Sequence, residues 1–195
     1  MSTDQENKSA LLVVDVQQGP VDNMGFGIDY VNRVAKAIEI ARNASITVIY
    51  VRMAYREGSP EANPNNRMLY NFAKTGAMLN TVPTSQIHSL IAPKPDDIVV
   101  IKSRVSAFKG SDLDLILRSL KIEHLILSGN ATRMGIMATF FEAADNDYQL
   151  TVLSDCCTDY DQAVHNFLMK EVFPLQSNVV SLEAWTHQLA QPIDR

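Results

Sequence analysis

The stretch from Glu123 to Asp155, EHLILSGNATRMGIMATFFEAADNDYQLTVLSD, reads as a strand, a helix and a second strand. EHLILSG is a short apolar run closed by a glycine. GIMATFFEAADND continues as a helix, and QLTVLSD returns to a short apolar run that ends on a carboxylate. Strands that are apolar throughout, alternating with amphipathic helices, belong to a parallel sheet covered on both faces.

The same alternation extends outward in both directions. ALLVVD (Ala10 to Asp15) is a strand ending in a carboxylate. IDYVNRVAKAIEIARNAS follows, with Ile28, Val31, Val34, Ala35 and Ile38 at helical spacing, and ITVIYVR (Ile46 to Arg52) is rich in β-branched residues. DDIVVIK is a strand ending near Lys102, and SDLDLILRSLK a helix with Ser111 or Asp112 as its N-cap. QAVHNFLMKEVF is a helix stopped before Pro174, SNVVSL a last short strand, and Glu183 to Leu189 a terminal helix. Met53 to Pro95 has little periodicity and reads as an excursion with a short helix or two. With right-handed connections the result is a three-layer α/β/α doubly wound, mainly parallel, Rossmann-like sheet. It forms one domain over residues 1–195, with residues 1–9 as a flexible tail.

Composition limits the function. The chain has 195 residues, 46% of them hydrophobic and 20% charged, which suits a globular domain with a full core. A net charge of -5 provides no field for nucleic acid. The opening MSTDQENKSA lacks the apolar core of a signal peptide, and no run reaches membrane-spanning length. The two cysteines, Cys156 and Cys157, are adjacent, a spacing that rarely permits a mutual disulfide. A cytoplasmic, reduced protein is expected. His88, His124, His165 and His187 are scattered without ligand spacing, so neither a metal nor another cofactor is expected.

In open parallel sheets, ligands bind beyond the carboxyl ends of the strands, where the strand order reverses. Three strand ends carry chemistry: Asp15, Lys102, and the turn from Gly129 to Gly135. Gln17, two residues beyond Asp15, shares its face and can meet a substrate or water. Arg104 points to the other face if the strand continues past Lys102, and binds anions if it breaks there. The N–H groups of Met134 and Gly135, at a helix start, can stabilise negative charge. Arg133 faces either the pocket or solvent, with solvent favoured.

At these points the chain resembles the isochorismatase-like hydrolase family, from about Ala10 to Trp185. LLVVDVQQG resembles the family's first strand with its catalytic aspartate, at Asp15. IVVIKSRVSAFKGSDLDLILR resembles the segment of the catalytic lysine, at Lys102, with a Ser-Ala-Phe element at Ser106, Ala107 and Phe108. LILSGNATRMGIMAT resembles the strand and turn that usually present a nucleophilic cysteine, and AADNDYQLTVLSDCCTD the next strand and its acidic loop. The resemblance implies a non-proline cis peptide near Asn130–Ala131, a small-molecule substrate and a homo-oligomer, dimer or tetramer. It also implies a substrate pocket bordered by Gln17, Arg104, Phe108, Asn130, Ala131, Met134 and Gly135. Phe108 is open to a second reading as plain core packing.

The resemblance breaks at the nucleophile. Gly135 stands in the cysteine's place, and Cys156 and Cys157 belong to the following strand. Thiolate attack on an amide is therefore excluded. VRMAYREGSPEAN has no histidine, so the metal ligands of the nicotinamidase branch are also missing. The branch that cleaves a vinyl ether needs only an acid. By that likeness Asp15 protonates the enol-ether carbon of a small carboxylate substrate, isochorismate being the natural candidate, and water captures the oxocarbenium ion. Burial of Asp15 would raise its pKa and Lys102 would lower it, and the sequence leaves that balance open. It also leaves open a silent ligand-binding relative and a slow amide or ester hydrolase in which Asp15 activates water. Arg56, Arg67, Tyr70 and Phe72 lie in the excursion, without an assigned role.

Overall fold

The computed structural model describes residues 8–23 and 25–191. Six parallel strands form one sheet in the order β3-β2-β1-β4-β5-β6. They are β1 (Lys8–Val14), β2 (Thr47–Met53), β3 (Ile98–Lys102), β4 (Ile122–Asn130), β5 (Gln149–Thr158) and β6 (Asn178–Val180). The order reverses between β1 and β4, the place where a doubly wound sheet opens a crevice. The tail expected over residues 1–9 lies outside the described residues as far as residue 7. Lys8 and Ser9 already belong to β1, where Lys8 pairs with Ile122 and Ser9 with His124.

Alternate residues of each strand feed two cores, as the strand period requires. Ala10, Leu12 and Val14 pack with Ile49, Val51, Leu125 and Leu127 on one face. Helices α4 (Leu113–Ser119), α5 (Met137–Asp145) and α6 (Gln162–Phe167) cover that face. Leu11 and Val13 pack on the other face with Val48 and Tyr50, under α2 (Ile28–Asn43) and α7 (Leu182–Ala190). The apolar stripe of α2 is Val31, Val34, Ala37, Ile38 and Ala41, all buried. Ser111 is the side chain that caps α4: its hydroxyl accepts from the Leu113 N–H at 3.2 Å, whereas Asp112 makes no cap bond.

The excursion carries one short α-helix, α3 (Arg67–Lys74), while α1 (Gln18–Asn23) lies outside it, just after Asp15. Asn66 caps α3 by accepting from the Leu69 N–H. A small third core of Met53, Tyr55, Leu69, Ala73 and Met78 fixes α3 over the ends of β1 and β2. Each of these residues is apolar, yet their spacing is irregular, so the packing was not readable from a period. No helix among the described residues is long and apolar enough to cross a membrane.

Candidate functional site

Val14 ends β1 beside Gly129 of β4. The backbones meet so closely that a Cβ on Gly129 would sit 1.9 Å from the Val14 carbonyl oxygen, and its φ of +127° is glycine territory. Asp15 then turns into the left-handed region at φ 57°, a conformation that aspartate tolerates better than most residues. Its N–H stays bonded to Val51 O at 2.8 Å. The chain thus leaves the sheet while the carboxyl group is aimed across the crevice.

Lys102 comes from β3, two strands away, and its side chain is fully buried. Its ammonium lies 2.7 Å from Asp15 Oδ2 and donates to Val105 O at 2.5 Å. That carbonyl belongs to the loop containing Ser106, Ala107 and Phe108. The loop is held by the Ala107 N–H donating to Thr139 Oγ1 of α5 and by the Phe108 N–H donating to Ser106 Oγ. The Asp15 side chain is 14% exposed, and Oδ1 has no hydrogen-bond partner. Burial raises the Asp15 pKa above the ordinary carboxylate value, and Lys102 acts in the opposite sense. The balance left open by the sequence therefore falls on the side of desolvation.

The third strand end is the turn after β4. The Asn130–Ala131 peptide is cis, at the place the sequence resemblance indicated. The chain then enters a wide helical turn over Thr132–Ile136 that runs into α5. The Met134 N–H donates to Ala131 O at 2.9 Å, so it is not free to hold an anion. Gly135 faces the acid directly: a Cβ there would lie 2.6 Å from Asp15 Oδ2, 3.1 Å from Asn130 O and 3.4 Å from Val14 Cγ1. The carboxyl group has closed into the volume that a side chain at this position would need.

These groups line one end of a cavity of about 560 Å³. Of the residues expected to border it, Gln17, Asn130, Ala131, Met134 and Gly135 do so, beside Asp15 and Lys102. Gln17 and Asn130 have their polar groups occupied. Gln17 Nε2 donates to Met53 O and Ser85 O, and its Oε1 accepts from the Met53 N–H. Asn130 Nδ2 donates to Tyr30 Oη at 2.5 Å.

Arg104 and Phe108 are not on the cavity wall. Arg104 donates to its neighbour's carbonyl at Ser103, and Phe108 is buried in the core against Tyr148. Arg133 bonds Asp159 through both its N–H and its Nε at 2.8 Å, and its guanidinium lies 4.3 Å from the Tyr160 ring centre.

The rest of the wall was not singled out from sequence, apart from Phe72. It includes Phe26, Met53 and Val105, Met68, Asn71 and Phe72 on α3, and Thr75, Met78 and Tyr160. Met53 had a signal, since it follows a strand end. The others come from segments without periodicity. Arg56 instead pairs with Glu61, and Tyr70 stacks under Lys74, with its ring centre 4.3 Å from the ammonium. Cys156 and Cys157 are buried in β5, and burial raises both thiols, Cys156 to about 12. No cluster of three or more metal-ligating side chains occurs among the described residues.

The fold and site define an α/β protein with an acid–lysine pair at the carboxyl edge of a doubly wound sheet. The isochorismatase domain profile matches residues 9–184, and the chain belongs to the isochorismatase family, a family of hydrolases. It is 27% identical over 189 residues to the "Probable inactive nicotinamidase" of Arabidopsis thaliana, covering 93% of this chain and 96% of that one. It is 31% identical over 175 residues to the ureidoacrylate amidohydrolase of Variovorax paradoxus, covering 75% and 67%. Among solved structures, a cysteine hydrolase from Pseudomonas syringae pv. phaseolicola shares the fold with a TM-score of 0.86 at 22% identity, covering 94% of this chain and 92% of that one.

Proposed function

We propose that the protein is a cysteine-independent hydrolase in which Asp15 acts as a general acid on an acid-labile C–O bond, a vinyl ether being the best fit. The observation that supports this reading is the Gly135–Asp15 approach: the acid fills the space a side chain at residue 135 would need, and it lines the cavity. A carboxyl whose pKa is raised by burial keeps its proton further toward neutrality. In the reaction, Asp15 gives that proton to the enol-ether carbon. The carboxylate left behind is paired at once with Lys102, 2.7 Å away. Water adds to the oxocarbenium carbon and loses a proton, which restores the acid, and the hemiketal collapses to a carbonyl compound and an alcohol.

A base role for Asp15 fits less well, because a raised pKa reduces the ionised form that would activate water. A second reading has support from the relative in Arabidopsis thaliana that is termed inactive: the cavity binds a ligand without turning it over.

The test is hydrolysis of two vinyl ethers, the charged isochorismate and the uncharged 1-methoxycyclohexene, followed by release of the carbonyl product. Turnover of either that disappears in Asp15→Asn and slows in D₂O supports proton transfer from Asp15. A folded wild-type protein inert to both, and to a wider ether and ester panel, would leave the binding reading.

A further inference from the structure

Among the described residues, Lys102 is the one positive group on the cavity wall. Lys102 contacts Asp15 and Val105 O, and none of its side chain is accessible. No arginine among the described residues lines the cavity. Arg133, on the catalytic turn itself, points away into Asp159 and Asp161 and supports the Tyr160 ring from outside. Arg52, on the neighbouring strand, is bound to Asn80 Oδ1 and Ser85 O.

What remains is chiefly a wall of thioethers and rings, with the polar Asn71 and Thr75 at its exposed side. Met53, Met68, Met78 and Met134 contribute four polarizable sulfur side chains, and Phe26, Phe72 and Tyr160 contribute aromatic surface. Thioethers and ring edges attract flat, polarizable apolar groups and adapt to their shape. Deep in the cavity, the Gln17 amide and Asn130 Nδ2 have hydrogen bonds made within the protein. Asp15 Oδ1 is buried without a partner. A buried polar atom in that condition marks a missing contact.

From this arrangement we infer that the cavity selects an uncharged small molecule with a flat apolar body and a single hydrogen-bond-accepting or protonatable group directed at Asp15, and that it rejects carboxylates. The inference rests on the same cavity being the reaction site, and it narrows the substrate expected from sequence from a small carboxylate to a neutral one. A carboxylate placed here would lose its hydration, and the nearest cation, Lys102, is out of its reach, with no accessible side-chain surface and its ammonium held by Asp15 and Val105 O. The binding energy comes instead from apolar contact, with the acceptor group registering the ligand against the acid.

Binding of two isosteres tests this without requiring turnover. Acetophenone and benzoate share a ring and a carbonyl and differ in charge. Titration calorimetry at pH 7 is expected to show acetophenone binding roughly tenfold or more tightly than benzoate. Met68→Arg adds a cation at the half-exposed mouth, where a substitution does not disturb the core. It is expected to narrow that ratio by strengthening benzoate.

Equal or tighter binding of benzoate by the wild type overturns the inference, as does failure of both compounds to bind. If acetophenone is preferred but no ether is hydrolysed, the inference stands and the catalytic reading fails. If isochorismate is hydrolysed and benzoate preferred, the catalytic reading stands and the inference fails.

Discussion

Placing a side chain back at residue 135 is the sharpest perturbation available. In Gly135→Ala the new Cβ starts 2.6 Å from Asp15 Oδ2, and ordinary contact begins at 3.4 Å, so the carboxyl must retreat by about 0.8 Å. On the opposite side stand the Asn130 carbonyl and Val14 Cγ1, which belong to the backbone and the core and yield little. Overpacking of this kind costs about 1–3 kcal/mol, and the better helix propensity of alanine returns up to about 1 kcal/mol. A net loss of about 1–2 kcal/mol follows, or roughly 2–8 °C in Tm for a chain of this size.

Stability alone does not identify the cause, so the assay is a double-mutant cycle by urea denaturation, with Gly135→Ala, Asp15→Ala and the pair. If the clash is with Oδ2, most of the Gly135→Ala penalty disappears once Asp15 is alanine, giving a coupling of about 1–2 kcal/mol. Strict additivity would refute the argument that the acid occupies the missing side chain's space. Gly135→Cys adds a sulfur beyond the same Cβ, and it is expected to give no burst on an anilide substrate.

Other outcomes follow from the same geometry. The Asp15 pKa is raised, so catalysis should hold at low pH and fall as pH rises through a value above the ordinary carboxylate range, read from the kcat/KM profile. By linkage, the Asp15 contribution to stability is present below the unfolded pKa of about 3.9 and lost as pH rises through the folded value. Asp15→Asn should flatten that part of the pH–stability curve. Lys102→Met removes the cation that opposes burial, so the falling limb of any residual activity should move to higher pH. Cys156 and Cys157 should not react with a thiol reagent until the protein is denatured, as followed by absorbance with and without urea.

The frame of the protein was legible because strand and helix periods dominate it. Apart from α1, the strands and helices outside the excursion lie close to where apolar runs and helical spacing put them, and the reversal between β1 and β4 falls where Asp15 and the Gly129–Gly135 turn meet. Asp15 and Lys102 were readable for a related reason: each is a charge ending an apolar strand. Arg104 and Phe108 were misjudged as cavity residues because the chain leaves β3 at Lys102 and folds into a tight loop. That loop sends Phe108 into the core and engages Arg104 with a backbone carbonyl. The thioether wall was hidden because Met68 and Met78 reach the cavity through an irregular segment, and no spacing rule applies there.

Lys102 sits on β3, one of the two edge strands, which pairs with β2 alone and leaves Val99 and Ile101 part-exposed. Edges of sheets open locally at a smaller free energy than the centre. The pair that defines the site is therefore strung between the sheet's most protected strand and one of its least protected. Fraying of a single edge would draw the ammonium away from Asp15 while β1, β4 and β5 remain folded. Heating should then abolish function before the fold, and amide exchange in β3 should be the measure of how long the site stays assembled.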